Sequence, residues 1–298
     1  MRILVTGSSG WLGQALVPRL RALGHDVVGI DPVAGPTTDI VASIAERGAV
    51  RASMRGVEAV IHSGALHKPD IVRRTNADFV AVNVTGTLNL LEEAVAQGVG
   101  RFVFTSTTSL MISETIRAGL KGGARKAVWI DEAMAPLEPR NIYGVTKLSA
   151  EHLCRLFHLE HRLPVVILRT SRFFPEGDDM AHEIAQSAEN TKANELLFRR
   201  LSVEDAAEAH VLALKAAPRI GFDTFIVSAP TPFRPDDCTE LIDNAPGVVA
   251  RLFPQFARLY AARGWTMFQS IDRVYDASKA ERALGFRARG FAELLETL

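Results

Sequence analysis

Tyr143 and Lys147 stand four residues apart in a stretch, 141–157, that reads as a helix running on through Leu148, Leu153 and Phe157. On one helix face their Cβ atoms lie about 5–6 Å apart. An ammonium beside a phenol favours the phenolate and draws its pKa down from about 10 toward the working pH. Such a tyrosine removes a hydroxyl proton while hydride leaves the same carbon for a nicotinamide, or gives the proton back when hydride returns. Thr107, at the polar end of the apolar run 102–105, can orient the substrate oxygen, and Lys147 can also hold the nicotinamide ribose. A tyrosine and a lysine at this spacing equally suit a solvated helix face, so their meaning rests on what surrounds them.

A carrier for the hydride is legible at the start of the chain. The apolar run Ile3-Leu4-Val5 is followed by Thr6-Gly7-Ser8-Ser9-Gly10-Trp11-Leu12-Gly13, and an amphipathic stretch from 11 to 23 is closed by Gly24. This is strand, glycine turn and helix. In such a turn two glycines let the backbone approach a pyrophosphate, the third permits close helix packing, and free N–H groups at the helix start attract the phosphate charge. A second apolar run, 25–31, ends on Asp31, 18 residues beyond Gly13, where a ribose-binding carboxylate belongs. A carboxylate there repels a 2′-phosphate, and 32–36 offers no arginine to hold one, which favours NAD over NADP. A tight turn and a strand-end acid would use the same residues without a ligand.

The elements between these groups alternate. After a Pro/Gly connection, 37–41 reads as a short strand, with Asp39 either at the adenine edge or in a surface turn. Residues 57–65 form a central apolar strand that runs into a small-residue turn, and 79–97 a helix carrying Asn83 near its start. Residues 102–105 are a further buried strand, with Ser106 to Ser109 at its carboxyl end, where ligands bind in open parallel sheets. The connection 113–140 is long and rich in Gly, Pro and basic residues, suited to a solvated loop or a substrate cover. With the strand 164–169, the pattern predicts an α/β fold, a doubly wound parallel (Rossmann) sheet over residues 1–170. Residues 171–298, loop-like at 171–179, read mainly as a smaller C-terminal substrate lobe interleaved with it. The chain returns to the sheet at about 196–229, through a helix opened by the N-cap Ser202 and a strand at 225–228.

Composition excludes several classes. Lys plus Arg equals Asp plus Glu, 34 each in 298 residues, so no global field draws the chain to nucleic acid or to an anionic membrane. No uninterrupted apolar segment is long enough to span a bilayer. Cys154 and Cys238 are far apart, lack metal-ligand spacing and follow no secretory pattern, which points to reduced thiols in the cytoplasm. His62 has no second ligand at suitable spacing, so no metal site is expected.

Taken in order, Thr6-Gly7-x-x-Gly10-x-x-Gly13, Asp31, Val60-Ile61-His62-Ser63-Gly64-Ala65, Asn83-Val84-Thr85-Gly86-Thr87, Phe104-Thr105-Ser106-Thr107, Tyr143-x-x-x-Lys147 and Leu168-Arg169 resemble the extended short-chain dehydrogenase/reductase superfamily, in its NAD-dependent epimerase/dehydratase branch. Tyr275-Asp276-Ala277-Ser278-Lys279-Ala280 with Leu284-Gly285-Phe286 extends the likeness to nearly the whole chain. The resemblance implies Thr107, Tyr143 and Lys147 as catalytic residues with Asn83 as a structural and proton-relay partner. It implies a dinucleotide site of Gly7, Ser9, Gly10, Trp11, Leu12, Gly13, Asp31, Asp39, Ile40, Ser63, Gly64 and Ala65 together with Tyr143 and Lys147. It implies a homodimer through the helices at 79–97 and 143–158. Thr108 and Ser109 stand where the branch's dehydratases carry an Asp-Glu pair, and the cysteine that its epimerase-reductases add is absent, which argues against both activities. The substrate expected is a sugar or nucleotide sugar. The short segment 174–199 also leaves room for a free sugar, sugar acid or hydroxy acid. His67, Thr108 and Arg172 are candidates to touch it. His67 with Lys68 equally suits a surface loop, and Arg172, Arg199 and Arg200 equally suit exposed helix ends.

Overall fold

The computed structural model describes residues 1–118, 125–173 and 186–297. In chain order it contains β1 (Arg2–Thr6), α1 (Trp11–Ala22), β2 (Asp26–Asp31), β3 (Ile40–Val41), α2 (Arg47–Ser53), β4 (Ala59–His62), α3 (Asn76–Phe79), α4 (Gly86–Ala96) and β5 (Phe102–Thr107). There follow α5 (Glu114–Ala118), β6 (Val128–Ile130), α6 (Ile142–His161), β7 (Val165–Thr170), α7 (Ala188–Leu196), α8 (Val203–Ile220) and β8 (Phe222–Val227). The last elements are α9 (Cys238–Leu252), α10 (Phe256–Arg263), β9 (Arg273–Tyr275), α11 (Ser278–Leu284) and α12 (Phe291–Thr297).

The main sheet runs β3-β2-β1-β4-β5-β7-β8 with every pairing parallel. It is a doubly wound α/β fold. On one face Leu12, Leu16 and Leu20 of α1 pack with Ala206 and Leu214 of α8 and Leu284 of α11. On the other face Val50 of α2, Leu90 and Leu91 of α4, and Ala150 and Phe157 of α6 cover Val60 and Phe104. Strand order reverses between β1 and β4, whose carboxyl ends stand in register at Thr6 and His62. The crevice outside that switch point is where such sheets take ligands.

Two helix starts that matter later are capped by side chains, as the sequence suggests for α8. Ser202 Oγ accepts from the Asp205 N–H at 2.9 Å, and Asn141 Oδ1 accepts from the Gly144 N–H at 3.0 Å, which fixes where α6 begins.

Two expectations change. The stretch 79–97 is not one continuous helix: α3 and α4 are joined by a wide π-helical turn, Val80–Thr85, centred on Asn83. The connection 113–140 is not all loop. It contains α5 and β6, and β6 pairs in parallel with β9, Val128 opposite Arg273 and Ile130 opposite Tyr275. A three-residue strand shows no period, and its partner lies far along the chain, so sequence pattern alone does not reveal the pair. A separate apolar cluster, including Leu197, Phe233, Leu241, Val248, Tyr260 and Phe291, packs the C-terminal helices together. Residues 174–179 of the stretch expected to be loop-like lie outside the described residues.

Candidate active site

The glycine turn is built by backbone approach. Gly7 has φ +69°, and a Cβ there would stand 2.7 Å from Gly64 Cα, so the turns after β1 and β4 press directly on each other. At Gly13 a Cβ would meet the Gly7 carbonyl oxygen at 2.3 Å, which is the close packing of helix on turn that the third glycine was expected to allow. α1 starts from Gly10 with no side-chain cap and no acid in its first turn, leaving its first N–H groups to an anion. Gly7, Gly10, Trp11, Leu12, Asp31, Ser63, Gly64 and Ala65 all line one cavity of about 580 Å³. The Asp31 carboxylate accepts from the Ser9 N–H at 3.2 Å and the Val33 N–H at 2.8 Å. A diphosphate over the helix start and a ribose beside Asp31 fit this cradle.

Four members of the expected dinucleotide set, Ser9, Gly13, Asp39 and Ile40, do not line the cavity, Gly13 being packed against the turn. Ser9 turns its hydroxyl to the Val33 carbonyl and to Thr38. Asp39 accepts from the Gly29 N–H at 2.7 Å and pairs with Arg21, and Ile40 sits in register with Ile30. The reason is polarity of the strand. Asp39 and Ile40 lie at the amino end of β3, whereas ligands meet a parallel sheet at its carboxyl end. Ala42, Ser43 and Ile44, just beyond that end, line the cavity instead. The signal that could have found them was the rule already applied to β5.

At the carboxyl end of β5, Thr107, Thr108 and Ser109 enter the same cavity as Tyr143 and Lys147 of α6. Thr107 Oγ1 accepts from the Ser109 N–H at 3.0 Å, and its side chain lies beside the Tyr143 phenol. Burial pushes Tyr143 up to about 12, with Thr107 pulling the other way. Burial takes Lys147 down to about 7, with Cys154 and Glu151 pulling the other way. The lysine ammonium donates to the Thr105 carbonyl and sits 4.1 Å over the Phe104 ring. The expected lowering of the tyrosine by the lysine is therefore absent in this geometry. Helical spacing brings the two residues to one face, but the ammonium is drawn to the strand end and desolvation governs both groups.

Beneath them Glu151, one turn beyond Lys147, accepts from Ser106 Oγ at 2.6 Å and takes Arg169 in a bidentate pair at 3.0 and 2.7 Å. Both partners are buried. Asn83 clamps the turn after β4: its side-chain oxygen accepts from the Leu66 N–H at 2.8 Å, and its amide donates to the Leu66 carbonyl and to Thr146 Oγ1. His62 ties this clamp to the cradle. Thr87 Oγ1 donates to the Asn83 carbonyl, so it accepts from His62 Nε2 at 2.9 Å. His62 Nδ1 then accepts from Thr6 Oγ1 at 2.8 Å, and Thr6 Oγ1 accepts from the Gly64 N–H. A neutral ring suits this pattern, and burial, followed by the charge of Lys147, holds the imidazole well below its ordinary pKa.

The substrate candidates His67, Thr108 and Arg172 all belong to the cavity wall. Thr108 Oγ1 donates to the Thr170 carbonyl at 3.3 Å, and Arg172 lies 3.4 Å from the buried Glu195. Sequence reasoning did not single out Arg117, Arg140 or Arg273, which line it as well. Among the described residues no group of His, Cys, Asp and Glu could hold a metal, and no helix is long and apolar enough to cross a membrane.

The model of the NAD dependent epimerase/dehydratase family matches residues 3–223. The chain belongs to that family. Its members take NAD, and the cradle described above has the turn, helix start and acid that this cofactor needs. The chain is 28% identical over 185 residues to a uronate dehydrogenase of Pseudomonas putida, covering 60% of this chain and 63% of that enzyme. It is 30% identical over 231 residues to a 2-alkyl-3-oxoalkanoate reductase of Stenotrophomonas maltophilia, 72% of this chain and 66% of the relative. These matches thus span less than two thirds of the relatives' length. A short-chain dehydrogenase/reductase superfamily protein from Agrobacterium tumefaciens, solved with NAD bound, shares the fold with a TM-score of 0.69 and 24% identity, over 100% of this chain and 95% of that one.

Proposed function

We propose that this protein is an NAD-dependent enzyme of the short-chain dehydrogenase/reductase type that acts at a secondary hydroxyl of a sugar or nucleotide sugar, as a dehydrogenase or an epimerase. The observation that carries this reading is that Thr107, Tyr143 and Lys147 line one cavity with the Gly7–Gly10 turn and Asp31. Bound NAD supplies the hydride acceptor. Thr107 orients the substrate hydroxyl, Tyr143 takes its proton, and Lys147 contributes positive charge and a donor toward the nicotinamide ribose. Asn83 and His62 hold the turn that the cofactor passes. Dehydrogenase and epimerase share these roles. They differ in whether the keto product leaves or receives hydride on its opposite face.

A second reading, a dehydrogenase of a smaller sugar acid or hydroxy acid, is favoured by the arginines on the far side of the cavity. A dinucleotide sensor without chemistry would not need a phenol and an ammonium so placed. Tyr143→Phe separates the two: an enzyme loses nearly all turnover and still binds NADH, whereas a sensor keeps its ligand response. Screening sugars, uronates and nucleotide sugars for NAD reduction or epimer exchange assigns the reaction. If neither is seen with any of them, the reading is wrong.

The domain reading follows the same division, with the parallel sheet as cofactor body and the C-terminal cluster as substrate lobe. We further propose a homodimer through α4, its preceding turn and α6, where Val80, Val145, Leu156 and Leu159 are exposed apolar residues. Sedimentation showing only monomer at micromolar concentration rejects it. Two buried free cysteines suit a reducing, cytoplasmic setting.

A further inference from the structure

Asp39, expected at the adenine edge, is engaged elsewhere, and so is the other acid of its neighbourhood. Asp39 takes the Gly29 N–H and Arg21, while Glu46 accepts from the Ser43 N–H at 3.2 Å. Neither lines the cavity. The acids that do line it, Asp31 and Asp78, are engaged by their own turns: Asp31 accepts from the Ser9 and Val33 N–H groups, and Asp78 from the Thr75 N–H and hydroxyl. Past the carboxyl end of β3 the cavity meets Ala42, Ser43 and Ile44, a wall of neutral groups.

This wall carries two hydrogen-bond donors. Ser43 Oγ accepts from the Ala45 N–H at 3.2 Å, and its own proton goes to no acceptor among the described residues. The Ile44 N–H has no acceptor among them either. Both groups are fixed from behind. Asn89 of α4 donates to the Ile44 and Ala45 carbonyls at 3.1 and 3.3 Å, and a Cβ at Gly86 would stand 2.7 Å from Ile44 Cγ1. The Ala42 N–H donates to the Asp31 carbonyl at 3.0 Å, which ties the wall to the ribose acid. A ribose beside Asp31 therefore directs its base toward β3, the next strand of the sheet, and onto this wall.

Donors and acceptors decide which purines such a wall tells apart. Adenine presents an amino donor beside ring-nitrogen acceptors, whereas hypoxanthine, like guanine, presents a carbonyl acceptor in place of the amino group. A carboxylate would accept from the amino group and repel the carbonyl. A hydroxyl and a main-chain N–H meet an acceptor on either base, and the hydroxyl oxygen keeps a lone pair for an amino group.

We propose that Ser43 and Ile44 form the base subsite of the dinucleotide and that this subsite does not discriminate adenine from hypoxanthine, so that the chain takes the deaminated dinucleotide as readily as NAD. The inference rests on the NAD reading above and concerns which purine that cofactor carries. Selectivity is decided at Ser43, where a neutral hydroxyl stands and no carboxylate faces the base.

The test is fluorescence titration of the protein with NADH and with reduced nicotinamide hypoxanthine dinucleotide. In wild type the two dissociation constants should agree within about threefold, a gap smaller than a typical hydrogen bond makes. Ser43→Asp keeps an acceptor for the Ala45 N–H and adds a carboxylate, so it should favour NADH by about tenfold or more. Such a gain in selectivity is not produced by misfolding or by a general weakening of the site. If Ser43→Asp fails to fold or to bind, the wild-type ratio decides alone. A larger wild-type preference for NADH, or an unchanged ratio in a Ser43→Asp protein that binds NADH, overturns the proposal and leaves the cofactor standing. Binding of neither dinucleotide overturns both.

Discussion

The cavity has two unlike ends. At the cradle, recognition rests on main-chain shape: Gly7 against Gly64, Gly13 against the Gly7 carbonyl, uncapped N–H groups and one acid, all drawn from residues 7–64. At the far wall stand guanidiniums contributed by α5, the loop before α6, the segments flanking α7, and β9, of which Arg140 is steadied by a carbonyl and Arg172, Arg199 and Arg273 by acids. The first end needs almost no side chains, so it is compatible with many substrates and specifies the carrier. The second end is made of long side chains on separate segments, which can be exchanged without disturbing the sheet. Tyr143 and Thr107 stand where the two ends meet.

The largest break of this comparison is expected at the meeting point. Tyr143→Phe should lower kcat by about 10²–10⁴ while NADH affinity stays within about threefold, measured by steady-state rates and fluorescence titration. Because burial holds the Tyr143 phenol at about 12, the oxidation rate should also rise with pH toward that value, by about tenfold per unit. A flat profile from neutral to alkaline pH assigns the base to another group.

Next is the floor that both ends share. Glu151→Gln leaves the buried Arg169 without its bidentate partner and should cost about 3–5 kcal/mol of stability, read by denaturant unfolding. A loss under 1 kcal/mol would mean that this pair is solvated. Smaller and graded is the acid response of the sheet beneath Thr105. His210 is fully buried, its Nε2 is 2.7 Å from Thr105 Oγ1, and burial lowers it from 6.5 to about 4. The unfolded chain therefore takes up a proton between those values that the folded protein refuses, and Tm should fall as pH drops through that window. His210→Leu should make the dependence shallower, leaving the part that the buried His62 contributes. The smallest effect sharpens the comparison itself. Gly13→Val should destabilise by about 1–3 kcal/mol through overpacking and weaken NADH binding, whereas Arg140→Met should leave NADH binding unchanged.

The glycine turn, the acid that ends β2, Tyr143 and Lys147 in one turn of α6 and the alternation of strands and helices are all local patterns, and the structure has them where the periodicities put them. What escaped had a non-local cause. Asp39 and Ile40 carry a motif resemblance, but they sit at the wrong end of a two-residue strand, and Ala42 to Ile44 take the place at the cavity. The π-turn at Asn83 comes with a side chain bound to Leu66 and Thr146, partners outside its own helix. β6 and β9 are too short to show a period and pair across the chain.

The amino-acid sequence by itself determined the sheet, the glycine turn that suits NAD and the placing of Tyr143 and Lys147 one turn apart, because glycine, turn and helix-face spacings are set within a few residues. The tertiary structure alone decided how those groups are charged and what else they face. Desolvation raises Tyr143 and lowers Lys147 where spacing suggested mutual stabilisation. On the far wall Arg172 and Arg199 converge because both reach Glu195, and Arg273 is placed by the pairing of β9 with β6. Charge and dielectric depend on every neighbour in space, and only folding assembles those neighbours.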